Sequence, residues 1–450
     1  MNIEVSPSPV PNSTEASLST ALLNKDTYLS ELVDKVSTVK TKGWLLEIKD
    51  NAANWVRHST LPTKKDEEWR FTDVSTLRQF DFHLATNNSV SPDSAPFTAI
   101  SDTRLIFVNG VFVKELSAIA DLPEGVVVSN LASLPELDGE LVKEYLTQAE
   151  GAKEVFTALN TAGISDLAVI WLSRNVVVET PIHLVFITAG NQIISQPRCL
   201  LVAKTGSEVT LVEEFINSGT EKEQNQEIYL NNAVTEIWVD ENAGVNHTRI
   251  ERDSVEAFHI GKTAVTQARN SRYTCNAITL GGKLSRHNLE ILQTGEQTET
   301  TLNGLTIITG NQLSDTHSAL ALNYPHSNSN QLQKNIIADK AHGVFNGKIF
   351  VPKPAQLTDA SQLNRNLLLS PQAKVDTKPQ LEITADNVKC AHGATVSQLE
   401  DDEIFYLQSR GIDENSARHL LINAFAAEII NKIPVPPLRQ NLTQIVNKFS

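Results

Sequence analysis

The chain is poor in sulfur: 450 residues carry three cysteines (Cys199, Cys275, Cys390) and a single methionine. An odd, sparse set of cysteines is no disulfide framework and fits a reducing compartment, so a cytoplasmic location is expected. Positive charge is also short. Lys and Arg number 38 against 53 Asp and Glu, a formal net charge of −15. A surface of that sign repels phosphate backbones, which argues against nucleic acid as a partner. No apolar run approaches the roughly 18 residues of a membrane span, so no membrane association is expected. All five tryptophans lie at or before Trp238, which leaves the C-terminal part to build its core from aliphatic residues and Phe.

The common chemical signatures are missing too. There is no Gly-x-Gly-x-x-Gly loop, no His-Glu-x-x-His, no Cys-x-x-Cys and no Gly-x-Ser-x-Gly elbow. Gly261-Lys262-Thr263 imitates the end of a phosphate loop, but the required first glycine is Glu256. A carboxylate there would repel phosphate, so an ordinary turn and no bound nucleotide are expected. The N-terminal residues 1–20 are rich in Ser, Thr and Pro without a basic or apolar block, and read as a flexible tail rather than a targeting signal.

Periodicity divides the rest. Helical spacing recurs from about Ala21 to Ser59 and from Glu136 to Ala162. Leu105–Val108 and Val111–Val113 flank Asn109-Gly110, a hairpin or tight-corner signal. From Leu167 to about Val396, strand-like runs such as Ala168–Leu172, Val176–Val178, Ile182–Ile187 and Leu305–Ile308 follow one another without helices between them. This excludes a doubly wound α/β fold and leaves a sandwich, a barrel or a β-solenoid. Strands of about four to six residues with Asn303-Gly304 and Asn346-Gly347 as corners favour the solenoid. Beyond Val396, Glu400–Glu403 start a helix and Gly411 ends it. Asp413 caps a second helix over Glu414–Ile433 whose girth is mostly apolar, and Leu438–Phe449 form a third.

Two constellations could carry chemistry. His317, His326 and His342, with Asp315, Asp339, Asp359 and Asp376, would suit a solenoid acyltransferase, lyase or hydrolase if they converged; ordinary solvated or hydrogen-bonded side chains are the alternative. The other is Cys390-Ala391-His392. Residues i and i+2 of a strand share a face, so a thiol and an imidazole, both ligands for iron or zinc, would point the same way.

The run from Gly343 to Ile433 resolves this. It contains Gly-Val-Phe-Asn-Gly-Lys-Ile at 343–349, Asn-Arg-Asn-Leu-Leu-Leu-Ser at 364–370, Asp-Thr-Lys-Pro-Gln-Leu-Glu-Ile at 376–383, Cys-Ala-His-Gly-Ala-Thr at 390–395 and Leu-Gln-Ser-Arg-Gly-Ile at 407–412. Leu61-Pro62-Thr63 with Asp66–Phe71 adds an N-terminal motif. Together they closely resemble the SufB/SufD family of iron–sulfur cluster assembly proteins, on its SufD side. SufB members carry a Cys-Asp-Ser-Leu-Leu-Ile-Gly-like run whose Cys slot falls here at Asn364, and Glu-His-Glu-Ala-Thr where this chain has 390–395.

The resemblance implies a right-handed β-solenoid over 164–397, a mixed, largely helical region over 21–163 and a C-terminal helical region over 398–450. It implies a non-enzymatic scaffold subunit that pairs with SufB through the solenoids, or forms a homodimer when isolated, and docks the SufC ATPase on its C-terminal helices. Phe405, Tyr406, Arg410, Arg418, Leu421 and Phe425 are the docking candidates. A transient iron–sulfur cluster would be shared with SufB; the family's ligand or assembly role carries over to His392, and Cys390 matches the neighbouring motif cysteine. A solenoid enzyme or a purely structural adaptor are the rival expectations.

Overall fold

The computed structural model describes residues 26–449 apart from 39–42, 87, 89, 91–96, 98, 135, 149–153 and 220–226, so the expected tail over 1–20 lies outside the described residues. Its centre is a β-solenoid. Strands alternate between two parallel sheets, each coil adding one strand to each. One sheet stacks Glu208–Asn217, Gly244–Arg252, Arg272–Thr279, Glu299–Ile308, Asn328–Ile337, Asp359–Leu368 and Lys389–Ser397. The other stacks Tyr229–Val239, Phe258–Gln267, Leu284–Gln293, Leu313–Ala321, His342–Val351 and Lys374–Ile383.

Most of these strands run nine to eleven residues, longer than the four to six expected. The reason is that both faces are covered, so a strand need not end where its apolar run ends. In Phe258–Gln267, Val265 faces the lumen core while Phe258 and Ile260 join an outer cluster with Leu29, Leu32, Phe82 and Phe156 of the N-terminal region. On the opposite wall Ile250, Ile278, Leu305 and Ile336 pack against Ile422, Ile429, Leu438 and Leu442 of the C-terminal helices.

The corners also differ from expectation. Single left-handed residues turn the chain at Asn242, Asn270, Gln297, His326 and Asp339. Of the Asn-Gly pairs, only Asn109-Gly110 makes a tight turn, with both residues at positive φ and Val108 opposite Val111. Asn303-Gly304 and Asn346-Gly347 lie within strands, and so does Gly261-Lys262-Thr263, which is not a turn. These glycines make room for long polar side chains in the lumen. A Cβ at Gly261 would press on the Arg249 guanidinium, at Gly304 on the Gln333 amide and at Gly347 on the Gln362 amide. Val176–Val178 contributes one isolated bridge to Glu208 rather than a strand.

The two ends are unlike. At the first end the antiparallel strands Val111–Phe112 and Val126–Asn130 complete the sheets, over a stack of Phe107, Phe186 and Phe215. At the other, Lys374–Ile383 and Lys389–Ser397 each have, among the described residues, a paired neighbour on one side only. The chain then leaves into helices Asp401–Ser409, Glu414–Ile430 and Pro436–Phe449. Gly411 terminates the first of these at φ 87°, and Asp413 caps the second by accepting the Ser416 N–H at 3.0 Å.

Candidate functional site

Parallel pairing in register places one residue of each coil directly above the last, about 4.8 Å apart. One lumen-facing column along this axis reads His247, Cys275, Leu302, Gln331, Gln362, His392. The next reads Glu213, Arg249, Ala277, Gly304, Gln333, Asn364, Ala394. A polar seam therefore runs along the lumen beside its apolar core. Its first half holds charges and its second half amides.

In the first half, His247 Nε2 lies 2.7 Å from Glu213 Oε2 and its Nδ1 3.0 Å from the Tyr273 hydroxyl. Burial opposes a charge on this ring, but hydrogen bonds with Cys275 and Glu213 outweigh it and push the imidazole up to about 9. Glu251, Asp253 and His259 bring their donor atoms within 4.8 Å of one another, a separation that suits a metal ion. The Arg249 guanidinium already occupies that corner: it packs on His259 Nε2 and sits 3.7 Å from Glu251, while His259 Nδ1 faces Asp253 at 2.6 Å. The cation there is arginine, and a metal would have to be held beside it. These groups form a sealed ion-pair network. The expectations from sequence did not include them. The signal for them is His247-x-Arg249-x-Glu251, charged residues at strand spacing, with a mid-strand glycine opposite.

At the open end the polar column reaches the surface. Cys390 pairs in register with Ala360 and His392 with Gln362, so both side chains stand on the inner face of the last strand. Cys390 is half-buried and packs on the lumen core with Leu381, Ala385 and Val388. Burial pushes its thiol above the ordinary range. His392 is exposed, because no further coil covers it. Beneath it Gln362 donates through Nε2 to Gln331 Oε1 at 2.8 Å, and Gln331 donates to Ser318 Oγ at 2.8 Å. The mouth thus combines an imidazole, a thiol and buried amides.

The enzyme-like alternatives do not assemble. His317 is a buried strand residue held by Asp315 at 2.9 Å and Glu68 at 3.3 Å, and Asp315 also pairs with Arg286. His342 pairs with Asp376 at 2.7 Å, Asp339 caps Thr309 and Gly310, and His326 is a left-handed corner. Asp359 is exposed on the other sheet. No paired carboxylates result from the expected set.

On the C-terminal helices, Phe405 is 70% and Tyr406 57% exposed, with the Arg410 guanidinium 5.3 Å from the Tyr406 ring. Leu420, not among the expected residues, is 51% exposed, and Arg418 and Leu421 are half-buried. Phe425 differs from its neighbours. It lies 4.1 Å beneath Lys334 Nζ and packs toward the solenoid, so it anchors its own helix. Lys334 also donates to the Phe425 carbonyl at 2.9 Å and pairs with Glu428.

Comparison with known proteins agrees with this architecture. The family model described as SUF system FeS cluster assembly, SufBD core domain, matches residues 186–425, and that of the SufBD protein N-terminal region matches 28–184. An iron–sulfur cluster assembly SufBD family protein of Synechocystis is 46% identical over 90% of both chains. The iron–sulfur cluster assembly protein SufD of Escherichia coli is 34% identical over 85% of this chain and 88% of its own. SufD of Bacillus subtilis is 23% identical over 96% and 99%. Both matched models and these alignments run through the solenoid and its flanking regions alike, and the chain belongs to the SufB/SufD family of the SUF iron–sulfur cluster assembly system.

Proposed function

We propose that this chain is the SufD-type subunit of the scaffold, a cytoplasmic, non-catalytic protein that pairs with SufB and docks SufC. The iron–sulfur cluster is its cargo. In this reading His392 gives a neutral nitrogen to iron, while thiolates come mainly from SufB. Imidazole ligates only when unprotonated, and a single nitrogen ligand at a subunit interface suits a cluster that is to be handed on. Cys390 plays a lesser part: its thiol is held protonated by burial and must lose that proton to bind metal.

One observation carries the reading. The last strand presents His392 on the inner face of an uncapped coil, beside two sheet edges that lack a second partner. Unpaired edges are templates for strand addition, which supports SufB pairing at this end. The exposed Phe405, Tyr406 and Leu420, together with Arg410, Arg418 and Leu421, support an ATPase docking surface on the C-terminal helices. ATP binding in SufC would then open and close the interface.

The test is His392→Ala in the co-purified complex, loaded anaerobically and followed by visible absorption and iron content. Cluster build-up is expected to fall at least tenfold with complex assembly intact. Normal yield would leave a purely structural adaptor as the better account.

A further inference from the structure

The proposed ligand sits on a residue that itself has an unused hydrogen-bonding group. Gln362, directly beneath His392 in the lumen column, is 2% exposed. Its Nε2 is committed to Gln331, and its Oε1 has no hydrogen-bond partner among the described residues. A buried carbonyl oxygen without a donor costs about 1–3 kcal/mol, so its retention needs a reason. The amide is tied to the column below it. Ser318 Oγ accepts from Gln331 Nε2 and donates to Gln331 Oε1, and Gln331 Oε1 in turn accepts from Gln362. Donors are thus spent inward along the column, and the acceptor is left over at its top. Gly347 on the facing sheet keeps the site open, since a Cβ there would fall on the Gln362 amide. Its nearest amide neighbours are linked to one another, Asn335 donating to Asn366 at 2.6 Å and Asn366 to Asn364 at 2.7 Å; deeper in the lumen the Asn231 amide is also unpartnered among the described residues.

We propose that Gln362 is the positioning residue for His392: its Oε1 accepts the N–H of one imidazole nitrogen and so leaves the other nitrogen bare, toward the open mouth, for iron. Metal-ligating imidazoles are oriented in this way by a carbonyl or carboxylate on the opposite ring nitrogen, which fixes both ring angle and tautomer. Gln362 would do the same from the coil directly below, once the ring turns toward its unpartnered Oε1. Thr377, on the facing edge strand, has a buried Oγ1 without a hydrogen-bond partner among the described residues, so the polar side of the mouth is under-satisfied on both sheets. The inference rests on His392 being the ligand, and its test separates the two ideas.

The test begins with the metal-free full-length chain, labelled with ¹⁵N-histidine and examined by NMR at pH 8, above the ordinary imidazole range. His392→Ala identifies the signals of this ring. The unsubstituted chain is expected to show one protonated and one bare nitrogen, well separated in shift. Gln362→Leu, of similar volume without an acceptor, is expected to average them toward a tautomer mixture. Gln362→Glu, which keeps an acceptor, restores the separation. Gly347→Ala displaces the amide without removing it and is expected to act like Gln362→Leu. Cluster yield in the complex should follow the same order, with a loss of about tenfold in Gln362→Leu. Averaged nitrogens in the unsubstituted chain, or a separation unchanged in Gln362→Leu and Gly347→Ala, would overturn the positioning role. Normal cluster yield in His392→Ala would instead remove the ligand assignment while leaving the NMR result to stand by itself.

Discussion

The two halves of the solenoid lumen solve the same problem differently. Near the closed end, Glu213, His247, Arg249, Glu251, Asp253 and His259 are buried as opposite charges and hydrogen-bonded partners. Near the open end, Gln331, Gln333, Asn335, Gln362, Asn364 and Asn366 fill equivalent positions with neutral amides. Charges deep inside face buried partners of opposite sign and are closed off from the surface. Amides carry no charge to be lost when a neighbouring surface opens. Titratable groups of the first half are enclosed, whereas at the open end the His392 imidazole is exposed beside the half-buried Cys390 thiol.

Breaking the charged half should have the largest effect on stability. Arg249 is 2% exposed, sits 4.8 Å over the Phe215 ring and offsets Glu251, while its guanidinium packs on His259, the partner of Asp253. Arg249→Ala leaves the buried Glu251 carboxylate uncompensated, so a loss of about 3–5 kcal/mol is expected, read as a lower urea midpoint. A loss below about 1 kcal/mol would show the network to be wet and dispensable.

Next comes pH. The folded pKa of His247 lies at about 9, above the ordinary unfolded value near 6.5. A raised pKa means the native state binds the proton more tightly. Its contribution is therefore complete below about pH 6.5 and is lost as pH rises through about 9. Stability should fall by on the order of 3 kcal/mol over that window, and the fall should be smaller in His247→Gln. Equal pH slopes in the two proteins would assign the effect elsewhere.

The amide half should respond more weakly. Asn366→Leu removes a residue that accepts from Asn335 and donates to Asn364 and the Thr395 carbonyl. A loss of about 1–3 kcal/mol is expected from the partners left unsatisfied, with little change in its pH dependence. Cys390→Ser should cost the fold least, below about 1 kcal/mol, because the side chain is half-buried at an uncapped end. Its cluster yield should fall less than that of His392→Ala; an equal loss would make the thiol an equal ligand.

Much of this was legible in the residues. Short strand runs without intervening helices exclude the doubly wound class and favour a solenoid, and Gly411 and Asp413 mark the C-terminal elements; the last helix, expected from Leu438, starts at Pro436. The shared face of Cys390 and His392 follows from strand spacing alone. What was not legible is the lumen. Read singly, Gly261, Gly304 and Gly347 are turn signals, because glycine's usual role is conformational freedom. Their role here is space for Arg249, Gln333 and Gln362, and those contacts join coils tens of residues apart or opposite walls of the solenoid. Register is a long-range property, so the alignment of Gln362 beneath His392 cannot be read from either strand by itself. Phe425 shows the same limit: apolar spacing places it on the helix, and only packing against Lys334 turns it inward.

The most direct measurement of the central claim is pulsed electron paramagnetic resonance on the reduced, cluster-loaded complex, with only this subunit labelled with ¹⁵N-histidine. The account predicts a ¹⁵N coupling of the size expected for a directly bound imidazole, absent in His392→Cys, where a thiolate takes the position. No such coupling in the labelled complex, or one that survives the replacement of His392, would contradict it.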